Sequence, residues 1–370
     1  MSTLDERAAG TVWGLAWGDA LGAPIESWSE AEIASTFGRY AGLPADLSGV
    51  PEKRQSRTRR LGLHTDDAAQ ALTLLAVCLT GSWSPAEWGQ ALVRGGQLRA
   101  WRGTGRHFDA AVDRLAEGTA PEQAGSASSG IGAAMRTAPL GALFHAQPQL
   151  LRVICLEASA VTHADLLAIT LAYAVAFAAA RLVEGDSAAQ VRALLPQAVA
   201  DVEAEWTGPS RGHWTLSRDT PRLSESLAAL FASPPSTVQA AAARALDLGS
   251  ASLAAGASAP HPNHGYALLG GLFALGVGLL DEVDPAAALL EVVRLGEDTD
   301  TVAAIAGGLF GARFGAAWVP KEQLVDAQHL SGYAAAVCSG VASEPLQALL
   351  EREAAHSADE RASQKARRRL

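Results

Sequence analysis

Three short stretches gather oxygen ligands where the surrounding sequence is apolar. Glu26 closes the run GLAWGDALGAPIE (14–26), which also carries Asp19. HTDDAAQALTLLAV (64–77) opens with Thr65, Asp66 and Asp67. GEDTDTVAAIAGGLFGARFG (296–315) sets Asp298, Asp300 and Thr301 ahead of a run of Ala, Gly, Ile, Val, Leu and Phe. The bland account of the last two is helix capping, since Thr or Asp at a helix start accepts backbone N–H bonds and carboxylates suit the positive end of the helix dipole. A cap needs one oxygen, however, and each cluster packs several onto one turn. Holding Asp66 and Asp67 in an Ala- and Gly-rich interior is costly without a compensating cation. Oxygen ligands with no His or Cys among them suit Mg²⁺, Mn²⁺ or Ca²⁺ rather than zinc. Carboxylates flanked by threonine hydroxyls can bridge two such ions. The helix after Asp300 then serves as a rigid support, with Gly307, Gly308 and Gly311 admitting close neighbours.

The elements that must hold these residues read as helices. Apolar residues recur at three- and four-residue spacing over 67–79, 86–98, 107–117, 150–160, 164–183, 187–203, 236–247, 264–280, 284–294 and 301–314. Ser84 before Pro85, and Asp284 before Pro285, mark helix starts. No series of alternating segments with hairpin turns is present, so the fold class is all-α. Gly, Pro, Ser and charge collect in loops at 38–63, 118–132, 205–222 and 249–263. The last of these resembles a linker, yet chemical signals lie on both sides of it, so it does not divide the chain. A single domain is expected over 1–354, followed by a basic, disordered tail over 355–370.

Composition narrows the class further. The chain has 370 residues, 49% hydrophobic and 18% charged, as in ordinary globular proteins. A net charge of −10 argues against nucleic acid as a partner, because phosphate binding depends on Lys and Arg. The basic runs KRQSRTRR (53–60) and KARRRL (365–370) read as solvated, although the first is also placed to line a cleft mouth and draw in an anion. Cys78, Cys155 and Cys338 lack CxxC spacing, and MSTLDERAAG lacks a signal sequence, so a cytoplasmic protein is expected. The apolar runs 166–180 and 266–280 are shorter than the roughly 20 residues that span a bilayer and read as buried helices, with no membrane partner.

GDALGAPIE, HTDD and GEDTDTVAAIAGGLFGARFG, in this order and this far apart, resemble the ADP-ribosylglycohydrolase family. GIGAAMRTAPLG (130–141) is similar to that family's Gly-rich loop, VTHADLLAI (161–169) to its following helix, and GYALLGGLFAL (265–275) also fits. The resemblance covers residues 10 to 316. It implies a compact, orthogonal multi-helix bundle with a central two-metal cleft, holding Mg²⁺ or Mn²⁺. It also implies cleavage of the glycosidic bond at C1″ of ADP-ribose attached to a protein or small molecule, by a monomer. Carried over by position, the metal ligands are Thr65, Asp66, Asp67, Asp298, Asp300 and Thr301, with Glu26 and Asp67 in catalytic roles. The loop that lies against ribose and diphosphate becomes Gly130, Ile131, Gly132, Ala133, Met135 and Arg136.

Three positions depart from the family pattern. Ile131 stands where Asn is usual, Ala68 follows the acidic pair where Thr is usual, and Glu297 replaces a glycine. The alternative they raise is a non-catalytic ADP-ribose or nucleotide-binding homologue. Other assignments have two sides. His163 either touches substrate or is a satisfied core group. Tyr266 either stacks on adenine or packs in the core. Arg136 pairs either with the diphosphate or with a structural carboxylate. Asp19 reads as a buried support satisfied internally, and His64 as structural.

Overall fold

A glycine series organises the centre of the fold. Gly10, Gly14, Gly18 and Gly22 recur every fourth residue and so share one face of the first helix. That face lies against Ala303, Gly307 and Gly311 of a late helix, with Gly10 next to Gly311, Gly14 next to Gly307 and Gly18 next to Ala303. The order of these contacts makes the two helices antiparallel. Their backbones touch: a Cβ on Gly14 would lie 2.0 Å from the Gly307 carbonyl oxygen, and one on Gly311 would lie 1.9 Å from that of Gly10. Overpacking usually costs about 1–3 kcal/mol, and here backbone rather than a movable side chain must yield. Gly14→Ala is therefore expected to lower unfolding free energy by about 3 kcal/mol in urea denaturation, while Gly49→Ala, with open space at its Cβ, shifts it by less than about 0.5 kcal/mol.

The computed structural model describes residues 2–55, 57–206, 222–254 and 256–368. In chain order the helices are α1 (Leu4–Gly22), α2 (Glu30–Phe37), α3 (Glu52–Gln55), α4 (Asp66–Cys78), α5 (Pro85–Leu98), α6 (Arg106–Ala116), α7 (Pro121–Ala124), α8 (Ala138–Leu143) and α9 (Pro148–Ala160). There follow α10 (Leu166–Glu184), α11 (Ala188–Trp206), α12 (Leu223–Ala232), α13 (Val238–Gly249), α14 (Leu272–Gly278), α15 (Pro285–Arg294), α16 (Thr299–Phe314), α17 (Ala327–Ser339) and α18 (Leu346–Arg367). Among the described residues only isolated β-bridges occur, so the all-α expectation holds. Most of the expected loop at 205–222, residues 207–221, lies outside the described residues.

The glycine pair α1 and α16 is surrounded by α4, α8, α10, α14, α15 and α17. Helix α10 is long and apolar enough to cross a membrane, but 83% of that apolar length is buried inside the protein, as a core helix should be. The segment expected to be helical from 264 begins instead as a turn of π-helix, Ala267–Gly271, before α14. The cap signals act as read: the Ser84 hydroxyl accepts from the Glu87 amide, and the Asp284 carboxylate accepts from the Ala286 and Ala287 amides.

The C-terminal tail is a correction. Rather than fraying from residue 355, the chain continues as α18 to Arg367. Glu353, Ser357 and Glu360 form one buried polar edge of this helix. They bond the loops on either side of the acidic pair: Ser357 donates to the Ala100 carbonyl at 2.7 Å, and Glu360 accepts from the Arg60 amide at 3.0 Å. A helix docked through polar groups leaves no apolar stripe in its sequence.

Candidate active site

The α1–α16 contact places the site. It sets the C-terminus of α1 beside the N-terminus of α16, where the Thr299 hydroxyl donates to the Gly22 carbonyl at 2.9 Å. A 3₁₀ turn, Ala23–Ile25, then delivers Glu26 to the same cleft that Asp298, Asp300 and Thr301 enter from α16. Ser27 and Glu297 both adopt left-handed backbone, with φ of 61° and 63°. They clasp each other, Ser27 N–H bonding the Glu297 carbonyl at 2.8 Å while Glu297 N–H bonds that of Trp28, also at 2.8 Å. The left-handed φ at Glu297 explains why glycine suits that position.

The third acidic stretch arrives through Asp19. Its carboxylate accepts the Thr65 amide at 2.8 Å and the Ala68 amide at 3.0 Å, so it caps α4 from a distant helix. Thr65, the formal N-cap, makes no side-chain capping bond, and its hydroxyl instead donates to Asp67 Oδ2 at 3.0 Å. The Asp298 side chain makes no capping bond either. Capping therefore accounts for Asp19 but not for the side-chain oxygens of Thr65 and Asp298. Oxygens of Asp19, Asp67 and Asp300 lie within 4.8 Å of one another. Asp67 Oδ1 is buried without a hydrogen-bond partner among the described residues.

So much buried negative charge is self-repelling. Burial, then the neighbouring Asp19, Asp66 and Asp298, pushes the Asp67 carboxyl well above its usual range. Burial, then Glu26, Asp67, Asp298 and Asp19, does the same to Asp300. Asp66 is pushed up to about 8 by burial and by Asp19 and Glu26. Asp298 is raised by burial, though the nearby Thr301 draws it back in part. Glu26 is raised by burial and lowered in part by Arg59. A partnerless oxygen within a set of converging carboxylates fits divalent metal ions with oxygen preference, and the residue set contains no softer ligand.

The cleft, of about 440 Å³, takes Glu26, Asp66, Asp67, Asp298, Asp300 and Thr301 into its wall. Thr65 lies behind them, buried against Asp67. Across the cleft run Ser128, Gly130, Ile131, Gly132 and Met135. The Gly132 amide has no partner among the described residues and is free to meet a ligand. His163 also lines the cleft, its Nδ1 2.8 Å from the Thr162 hydroxyl. Burial, with Arg136 and His107, lowers its pKa to about 3, so the imidazole is neutral.

Other loop residues face away. Arg136 does not line the cleft: it is buried, lies over the Trp88 ring, and donates to Gln70 at 2.6 Å and to the Thr162 hydroxyl at 2.7 Å. Gln70 in turn donates to Asp66 Oδ2 at 2.8 Å, so Arg136 orients an acidic residue through an amide rather than pairing with a carboxylate. Ala133 is fully buried behind the loop. Tyr266 packs in the core with its hydroxyl 3.1 Å from that of Ser252, and bridges Gly130 through its backbone. Ile131 lines the cleft but is buried, its side chain packed with the core cluster.

Residues that sequence reasoning missed lie in the support. Arg102 donates to the His64 carbonyl at 2.9 Å and to Glu353 at 2.7 Å, while the Asp66 amide bonds the Arg102 carbonyl at 2.8 Å. His64 reaches Glu353 at 3.0 Å, which makes it structural. Burial alone would raise the Glu353 carboxyl, but His64 and Arg102 pull it well below its usual range. Asn263 donates to the Val292 and Gly296 carbonyls, accepts the Asp298 amide at its own carbonyl, and so sets the start of α16. None of these partners is near in sequence, so no local signal marks them. The basic run is not merely solvated: Arg59 lies 3.6 Å from Glu26 and 3.3 Å from Glu360.

The sequence profile of the ADP-ribosylglycohydrolase family matches residues 1–358. Two curated relatives match in part. A protein of Archaeoglobus fulgidus, named only as uncharacterized, is 31% identical over 179 residues, 48% of this chain and 56% of its own. The uncharacterized protein YegU of Escherichia coli is 28% identical over 207 residues, 52% of this chain and 58% of its own. The chain thus spans little more than half the length of these relatives. A solved structure described as an ADP-ribosylglycohydrolase-related protein complex superposes with a TM-score of 0.63, covering 92% of this chain and 99% of that one at 23% identity, a likeness of fold.

Proposed function

This chain belongs to the ADP-ribosylglycohydrolase family, and from that premise we propose that it is a metal-dependent hydrolase cleaving the glycosidic bond at C1″ of ADP-ribose in an ADP-ribosylated protein or small molecule. The observation that carries the reading is the ring of buried carboxylates with a partnerless Asp67 oxygen at the floor of a cleft. Thr65, Asp66, Asp67, Asp298, Asp300 and Thr301 would hold two Mg²⁺ or Mn²⁺ ions. Such ions, when bound, supply Lewis-acid polarisation and a template for the ribose hydroxyls.

The chain's own groups do the rest. Glu26 receives the proton of the attacking water at a carboxylate oxygen, because it enters the cleft from a turn and is only partly engaged, by Arg59. Asp67 is fixed for ligation by the Thr65 hydroxyl. Gly132, whose amide is unpaired among the described residues, and the neutral His163 ring line the cleft, where backbone donors would suit phosphate oxygens.

If that loop receives the diphosphate, free ADP-ribose is expected to inhibit turnover at concentrations at least tenfold below those needed of ribose 5-phosphate, which lacks the second phosphate and the nucleoside. Inhibition constants measured against one ADP-ribosylated substrate decide the point. Equal inhibition by the two would mean that the nucleotide is not read in the cleft.

A further inference from the structure

Arg136 is a buried cation that hydrogen-bonds no anion. It is 1% exposed, and its guanidinium meets the Trp88 ring, the Gln70 amide oxygen, the Thr162 hydroxyl and the Ala158 carbonyl. Its Nε–H has no hydrogen-bond partner among the described residues. A buried charge without a paired anion is costly, so stability alone does not explain it. Its position does. One arm of the guanidinium fork, Nη1, reaches Gln70, which holds Asp66 Oδ2. The other arm, Nη2, reaches the Thr162 hydroxyl, which touches His163 Nδ1. The fork thus lies behind two residues that line the cleft, a carboxylate and an imidazole.

The directions of these bonds follow from the donor. A guanidinium only donates, so the Thr162 oxygen accepts from Nη2. Two acceptors remain for the hydroxyl hydrogen, His163 Nδ1 at 2.8 Å and the Ser159 carbonyl at 3.3 Å. Only the first has the length of an ordinary hydroxyl bond. With Nδ1 accepting, the neutral ring carries its proton on Nε2. That edge of the ring meets the cleft: a Cβ on Gly132, a lining residue, would lie 3.5 Å from both Cε1 and Nε2.

We propose that Arg136 is a positioning residue for both walls of the cleft. Through Gln70 it orients Asp66 for metal, and through Thr162 it holds His163 as an Nε2–H donor beside the Gly132 amide, for an oxygen of ADP-ribose. The inference rests on the metal and ADP-ribose reading of the cleft and names how the two are aligned. Lysine would keep the charge, but a single ammonium lacks the fixed fork that spans two acceptors. Thr162 isolates one arm for testing, since it is fully buried and lines neither the cleft nor the acidic ring.

The test compares the full-length wild type with Thr162→Val, Thr162→Ser and Arg136→Lys. Nitrogen NMR spectra of isotope-labelled histidine, with His163 assigned by its loss in His163→Gln, report which ring nitrogen carries the proton. In the wild type at neutral pH the proton is expected on Nε2. Thr162→Val removes the hydroxyl but keeps the branch. It is expected to lose this preference and to weaken ADP-ribose binding in EDTA about tenfold, with Mn²⁺ affinity unchanged to within about twofold. Thr162→Ser is expected to behave as wild type in all three measurements. Arg136→Lys is expected to weaken both ligands, Mn²⁺ by at least about tenfold, as loss of a partner behind a metal ligand does. A proton on Nδ1 in the wild type, or undiminished ADP-ribose affinity in Thr162→Val, overturns the inference. So does wild-type Mn²⁺ affinity in Arg136→Lys. Should Arg136→Lys not fold, the two threonine variants decide. A wild type that binds no Mn²⁺ or cleaves no conjugate counts against the hydrolase reading instead, and the nitrogen spectra still decide how His163 is held.

Discussion

Glu26→Gln is expected to lower turnover about 10²–10⁴-fold, the range for loss of a general base, while fold, metal binding and ADP-ribose binding persist. Glutamine keeps the shape and the hydrogen-bonding reach of the side chain but cannot accept the proton. The geometry favours this outcome over a purely ligating role. Glu26 lies on a turn after the 3₁₀ segment, its side chain is 31% exposed, and Arg59 stands 3.6 Å away, a distance that screens its charge without locking it. Single-turnover rates and metal titration of the same preparation separate the two roles. Normal turnover, or failure that excess Mg²⁺ repairs, would remove Glu26 from the role of base.

Asp300→Ala is expected to reverse the effect of metal on stability. In the wild type, an ion at about 100 times its Kd adds about 2.7 kcal/mol, so Mg²⁺ or Mn²⁺ raises the melting temperature and EDTA lowers it. Asp300 sits among Asp19, Asp67, Asp298 and Glu26, each of which opposes its charge. Removing it in EDTA relieves repulsion in a buried site, so the stripped variant should melt at or above the stripped wild type. In Mg²⁺ the order inverts, because the variant loses most of the ion's contribution together with turnover. Parallel melting curves in the two conditions would contradict a metal centre built on this residue.

Much of this site was legible in the sequence, for a physical reason. Asp66, Asp67, Asp298 and Asp300 stand in apolar surroundings where a charge needs compensation, and Thr65 and Thr301 add hydroxyls beside them. Ser84 and Asp284 announced their helices because a cap is a local event. Helix α1 carries a capping box at Thr3 and Glu6, but beyond its first turn it is buried on nearly every side, with no polar face to contrast with an apolar one, and its further signal is the four-residue recurrence of glycine. Asp19 was read as a support, and it is one, but its partners Thr65 and Ala68 lie some 46 and 49 residues away. Helix α18 and its Glu353 escaped because polar docking leaves no hydrophobic period. Arg136 and Tyr266 show a further limit, since sequence places the first on a loop and the second at the start of a helical stretch without saying which way they turn. Both turn inward, where Arg136 reaches Asp66 only through Gln70.

The central claim is that buried carboxylates around Asp67 and Asp300 hold metal for cleavage at C1″ of ADP-ribose. It is tested most directly by release of free ADP-ribose from a panel of ADP-ribosyl conjugates, with Mg²⁺, with EDTA, and with Mg²⁺ restored. The account predicts release from at least one conjugate in Mg²⁺, its loss in EDTA, and its recovery when the ion returns. Tight binding of ADP-ribose with no release from any conjugate, or release that EDTA leaves unchanged, would contradict it.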